Sequence, residues 1–187
     1  MRKLIALLRA LLMLPLLAAP LPAIAAGPYV DTAALDELFA ELQNAHSAGD
    51  ANEIVQQIWG VWFSPSDPEL ASRMKAVQVA TTTGNLDAAI AVLDTVVTDF
   101  PDYAEGWNQR ATLYYTQGKL DASLADIAKV LALEPRHFGA LSGRVQIYLQ
   151  QGKRDLALAD MRAALAIDPY LSGRDLFPEL AHPPTQV

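Results

Sequence analysis

Apolar residues recur at helical spacing along most of the chain. Trp107, Ala111 and Tyr114 follow one another at i, i+4 and i+7, and Leu120, Leu124, Ile127 and Leu131 renew the stripe after a break. Such spacing places one apolar face on each segment, which predicts two amphipathic helices separated by a turn. Leu35, Leu38, Phe39 and Leu42, then Ile54, Val55, Ile58, Trp59 and Trp62, give two further stripes around the polar run Ala48-Gly49-Asp50-Ala51-Asn52. Trp59 and Trp62 stand at i, i+3 and read as part of a buried face rather than as a platform for a ligand.

The helical pattern is itself periodic. Gly84, Gly118 and Gly152 are spaced by 34 residues, as are Pro101, Pro135 and Pro169. Asp87, Asp121 and Asp155 hold the same register, as do Ala89, Ser123 and Ala157. The period divides the chain into repeats 70–103, 104–137 and 138–171. Within each, the glycine can take the left-handed conformation that ends a first helix, and the aspartate falls in the first turn of a second, where the helix dipole favours negative charge. The proline cannot continue that second helix, so the chain turns into the next repeat. Small side chains at Ala111, Ser123 and Val130 let the paired helices approach closely.

The second repeat, AEGWNQRATLYYTQGKLDASLADIAKVLALEPRH, resembles a tetratricopeptide repeat over its full length, with Trp107, Tyr114, Gly118 and Pro135 at signature places. The third agrees at Leu141, Tyr148, Gly152, Ala157, Ala164 and Pro169, whereas the first keeps Gly84, Ala89 and Pro101 but has Arg73 where the tryptophan would be. The resemblance implies an all-α fold, a right-handed α-solenoid of helix-turn-helix repeats. It also implies that Trp107 is core and that the first helices line a peptide groove. Carried over by position, the groove comprises Met74, Gln78 and Thr81 from the first repeat, Glu105, Asn108, Thr112 and Tyr115 from the second, and Ser142, Gln146 and Leu149 from the third, with Ala71, Thr82, Thr116, Gly139 and Gln150 beside them. Of these fifteen only Glu105 is charged. The lysines and arginines with which the family clamps a terminal carboxylate are missing from this face. Tyr115, the one large amphipathic ring there, is either a binding hot spot or a packing residue against the neighbouring repeat. Arg110 and Arg144 stand where the family usually has leucine, and their stems are expected to pack while the guanidinium reaches a carboxylate.

Residues 26–69 read as a degenerate helical unit capping the bare face of the first repeat, joined to it by the turn-rich Ser64-Pro65-Ser66-Asp67-Pro68. Residues 172–187 form a C-terminal tail with one short docking turn around Leu176 and Phe177. The full solvating helix that commonly ends such arrays is absent, leaving an edge that is itself a candidate interface.

Residues 1–25 change the setting. Arg2 and Lys3 precede the apolar run Ala10–Ala19, and Ala23-Ile24-Ala25 is a small-x-small pattern, so the segment reads as a signal peptide cleaved after Ala25. Arg9, Pro15, Pro20 and Pro22 interrupt it too often for a membrane span, and no cysteine exists to take a lipid. The expectation is a soluble, periplasmic protein with no membrane insertion after cleavage. Removing Arg2, Lys3 and Arg9 leaves eleven basic residues against 21 acidic ones. So acidic a body repels nucleic acid and anionic membrane surfaces.

Candidate chemistry adds little. Ser72-Arg73-Met74-Lys75 fits an S-x-x-K pattern without the other motifs that pattern needs. His46, His137 and His182 lack ligand spacing, and neither Gly118-Lys119-Leu120 nor Gly152-Lys153-Arg154 is a phosphate loop. The expectation is therefore no catalysis, cofactor or metal. The protein reads as an adaptor binding a protein or peptide partner of the cell envelope, with an assembly subunit acting through its C-terminal edge and acidic convex face as the rival.

Overall fold

The computed structural model describes residues 29–180; the leader with its cleavage site and the tail from Ala181, His182 included, lie outside them. The described residues form eight α-helices: α1 (Thr32–Gln43), α2 (Ala48–Phe63), α3 (Pro68–Thr82), α4 (Leu86–Asp99), α5 (Ala104–Thr116), α6 (Leu120–Leu133), α7 (Phe138–Gln150) and α8 (Arg154–Ile167). Two 3₁₀ turns follow, Arg174–Leu176 and Pro178–Leu180. Consecutive helices pack as antiparallel pairs, α3 on α4, α5 on α6 and α7 on α8, and each pair stacks on the next through α4 on α5 and α6 on α7. This is the helix-turn-helix solenoid of the sequence reading.

The repeat markers do their expected work. Gly84, Gly118 and Gly152 have φ of 76°, 73° and 69°, a left-handed turn that strains any residue with a Cβ. Asp87, Asp121 and Asp155 sit in the first turns of α4, α6 and α8. Ser123 is buried and donates its hydroxyl to the Ala111 carbonyl at 2.7 Å, tying α6 to α5. Arg110 and Arg144 bind across their own helix pairs. Arg110 makes two bonds to Asp126, at 2.7 and 2.8 Å, and Arg144 two to Asp160, both at 2.7 Å. These bonds, which outweigh the cost of burial, raise the pKa of both guanidiniums further. Trp107 departs from expectation: it is half-buried rather than core, its face under Arg110 at 5.0 Å and its Nε1 donating to the Pro101 carbonyl.

The N-terminal pair differs from its reading in two respects. The break between α1 and α2 falls at residues 44–47, before Gly49, because Ser47 caps α2 by accepting from the Asp50 amide at 3.1 Å. The pair also does not sit on the bare face of the first repeat, where Val79 remains 55% exposed. It lies along the rim formed by the turns between repeats. Tyr29 and Val30, just before α1, pack on Phe100 and Tyr103 of the first such turn; Trp62 meets His137 of the second; Phe39 and Leu42 share a core with Phe138 and with Ile167, Tyr170 and Leu171 of the third. Gln43 donates to the Ala166 and Ile167 carbonyls at 2.8 and 2.6 Å, groups at the end of α8 that have no partner inside their own helix. Arg136 holds Asp36 at 2.7 Å and lies over the Phe39 ring at 4.3 Å.

At the other end, Phe177 is fully buried against Val145, Ala157 and Met161, so the docking turn covers part of the last repeat. Leu156 and Leu176 stay 49% and 46% exposed.

Candidate functional site

The fifteen inner-face positions divide into two zones according to their place along α3, α5 and α7. In α5 and α7, those near the helix starts lie under α2. Glu105 and Asn108 are buried, and Gly139 faces Trp59 so closely that a Cβ there would meet the ring at 2.6 Å. Ser142, half-buried, returns its hydroxyl to the Phe138 carbonyl. Positions nearer the glycine turns are open: Gln78, Thr81, Thr112, Tyr115 and Gln146 are exposed, Tyr115 at 40%. Met74 is half-buried at the edge of the first repeat's core, and Leu149 packs toward the Phe177 cluster. The structure thus does not bring the ten principal positions into one continuous open surface.

The covered zone is a closed polar cluster. His137 caps α7, its Nδ1 accepting from the Ala140 amide at 3.1 Å. Its Nε2 therefore carries the proton and donates to Glu105, also at 3.1 Å. The Glu105 carboxylate further accepts from Asn108 at 3.0 Å and Gln109 at 2.7 Å. Trp62 stacks on the His137 ring, and Tyr103 donates its hydroxyl to the Trp62 carbonyl at 2.7 Å. Burial first, and then the Glu105 charge, push the Tyr103 phenol far above its usual range, so it remains a donor. Glu105 is buried with both carboxylate oxygens engaged by Asn108, Gln109 and His137, so the cluster seats α2 and leaves Glu105 no contact to offer a ligand, while the buried Trp62 Nε1 has no partner among the described residues.

Position in the repeat gave no warning of this. The signal lay outside the repeats, in Trp59, Trp62 and Phe63 on one face of α2.

The open zone begins beside the end of α2. A cleft of about 720 Å³ runs between Phe63, Ser64 and Pro65 on one side and Met74, Gln78 and Thr82 of α3 on the other. Phe63 is 47% exposed and stacks on Trp59, with ring centroids 5.4 Å apart and planes 18° from parallel. Thr81, Thr82 and Thr112 return their hydroxyls to carbonyls one turn back, at 2.9 to 3.0 Å, so their oxygens face a ligand as acceptors. Among the described residues no cluster of three metal-ligating side chains occurs, and no helix is long and apolar enough to cross a membrane.

Helix pairs of constant length, left-handed glycine turns and an inner face built from first helices define a tetratricopeptide-repeat solenoid. The tetratricopeptide repeat family model matches the chain at residues 74–129 and 108–172, more than half of its length, and the chain belongs to that family. It is also similar to a TPR repeat-containing protein of Rhizobium etli, 34% identical over 81 residues, 43% of this chain and 40% of the relative. The chain thus aligns with less than half of that relative. An all-helical repeat fold of this family is typically a non-enzymatic scaffold for protein partners.

Proposed function

We propose that the protein is exported to the periplasm, is cleaved after Ala25, and acts there as a non-enzymatic adaptor that holds a peptide segment of another envelope protein in the repeat groove. The observation that carries this is the open zone of the inner face. Gln78, Thr81, Thr112, Tyr115 and Gln146 present amides, hydroxyls and one aromatic ring without a formal charge, surfaces that suit a peptide backbone and apolar side chains. The export reading rests on the leader sequence.

The rival reading, an assembly subunit using the C-terminal edge, is favoured by one observation, the exposure of Leu156 and Leu176 there. One experiment separates the two. The tagged protein is recovered with its partner from envelope extract, and the partner is titrated against Tyr115→Ala and against a Leu156→Asp/Leu176→Asp double variant. Weakening by the first alone supports the groove; weakening by the second alone moves the partner to the edge. N-terminal sequencing of the same material tests cleavage, and a chain still beginning at Met1 contradicts export.

A further inference from the structure

We propose that the partner's segment is anchored in the composite cleft between the end of α2 and α3, and that it is an extended, uncharged stretch of peptide whose apolar side chain packs on Phe63. The proposal rests on the adaptor reading and narrows it. The repeats alone do not form this site, because one of its walls belongs to the N-terminal pair.

Three features converge on it. First, α2 closes over Glu105 and Gly139 at the starts of α5 and α7: Trp62 stacks on the His137 that bonds Glu105, and Trp59 abuts Gly139. A segment following the inner face therefore cannot run under the rim, and the first repeat, where the cleft lies, is where it enters. Secondly, the Phe63 ring is held before any ligand arrives. Trp59 stacks on it, and Trp59 is itself wedged against Phe138 and His137, with centroids 5.6 and 5.5 Å away. An aromatic ring already fixed in place loses little conformational freedom on binding, which is the property of an interface anchor. Met74 and Ala71 on α3, both half-buried, offer the apolar surface opposite.

Thirdly, the charge pattern selects the occupant. Among the described residues Lys75 is the one formally charged side chain lining the cleft, so a basic segment meets no carboxylate from them there. Beyond Lys75, an acidic segment meets a mature body with eleven basic residues against 21 acidic ones. What remains complementary is an uncharged segment, whose peptide groups pair with the exposed side-chain amide of Gln78, both donor and acceptor, and with the amide oxygen of Gln109, whose Nε2 is engaged by Glu105. The cleft volume falls within the ~300–1,000 Å³ of ordinary ligand sites, room for a few residues. Beyond them the segment continues toward Thr112 and Tyr115.

The probe is a displayed random-peptide library panned on the purified full chain. Enriched peptides are synthesised and titrated against wild type, Phe63→Ala, Gln78→Glu and Tyr115→Ala. Phe63 and Gln78 are both exposed, so each variant is expected to keep the wild-type circular dichroism and melting temperature within a few degrees. Enrichment of apolar and depletion of charged residues is expected. Affinity should fall about tenfold or more in Phe63→Ala, as for an anchor, clearly in Gln78→Glu, and less in Tyr115→Ala. Peptides that lose affinity in Tyr115→Ala but not in Phe63→Ala overturn the composite cleft and leave the groove adaptor standing. If no peptide is enriched, both fall. If wild type self-associates in sedimentation and Phe63→Ala does not, the occupant is a second copy of the chain, and the peptide proposal is overturned.

Discussion

Trp62 and His137, 75 positions apart in sequence, lie face to face with ring centroids 4.1 Å apart and planes within 2° of parallel. The contact joins the N-terminal helix pair to the turn between the second and third repeats. Both rings are buried, so the cost of separating them is that of exposing an aromatic pair and unseating Glu105. Trp62→Ala should therefore destabilise the protein by about 3–5 kcal/mol, as for other buried aromatic truncations. Chemical denaturation checks it, and a loss under about 1 kcal/mol would mean that the seat is not formed.

Gly139 offers a subtler lever. A single added methyl at this position meets the Trp59 ring at 2.6 Å, inside any allowed contact. Gly139→Ala should cost about 1–3 kcal/mol through overpacking. The cost should be local: hydrogen exchange should quicken in α1 and α2 while α5 to α8 keep their protection. Uniform loss of protection would show instead that α7 itself is broken.

The ion pairs of the repeats make a prediction through their absence from the first. The positions equivalent to Arg110 and Asp126 one repeat earlier are Ala76 and Val92. Breaking the pair by Asp126→Val should cost roughly 2–4 kcal/mol, because it leaves Arg110, whose side chain is only 15% exposed, without its principal partner. Converting both, Arg110→Ala with Asp126→Val, reproduces the solution of the first repeat and should cost less than the single change. A double-mutant cycle in denaturant measures the coupling. Additive losses would contradict the assignment.

How much of this was legible follows from where each signal lies. The solenoid was, because Gly118, Asp121, Ser123 and Pro135 act on neighbours within the same 34 residues, and their local chemistry repeats at a fixed offset. The Arg110 and Arg144 pairings were also legible, since a buried stripe interrupted by a cation demands an anion. The course of α1 and α2 was not. Their contacts, Gln43 with Ala166, Asp36 with Arg136 and Trp62 with His137, span 75 or more residues, and no periodicity encodes which distant surface an apolar face will cover. For the same reason the zoning of the groove was hidden. Glu105 and Asn108 have inner-face register, yet both are buried, Glu105 in the cluster that α2 closes from outside the repeat by stacking Trp62 on His137.

Asp168 gives a pH-dependent test. It is buried at the end of α8, and desolvation raises its pKa above the usual value although the Tyr170 amide and Arg174 oppose the shift. A carboxyl with a raised folded pKa binds protons more tightly in the native state. Its stabilising contribution is thus present below its unfolded pKa and lost as the pH rises through the folded value. Asp168→Asn keeps an oxygen for the Tyr170 amide and removes the charge, so it should raise the melting temperature at pH 7 and lose that advantage in acid. A lower melting temperature at pH 7 would show that the ionised form is the stabilising one.

Binding through the open groove should depend little on salt, because Gln78, Thr81, Thr112, Tyr115 and Gln146 carry no charge for ions to screen. Titrating the captured partner at low and high ionic strength checks this. Steep salt dependence would move the contact to the acidic outer face.

The N-terminal pair folds back along the inter-repeat rim to the third repeat, and so both fills part of the groove and walls the rest. The chain contains no cysteine, so introduced thiols report without background. Gln43→Cys paired with Ala166→Cys, and Gln43→Cys paired with Val79→Cys, are treated with a short bismaleimide and scored for crosslinking within the monomer. The first pair should link rapidly and the second should not. Linking through Val79→Cys, with none through Ala166→Cys, would place the pair as a cap on the first repeat instead.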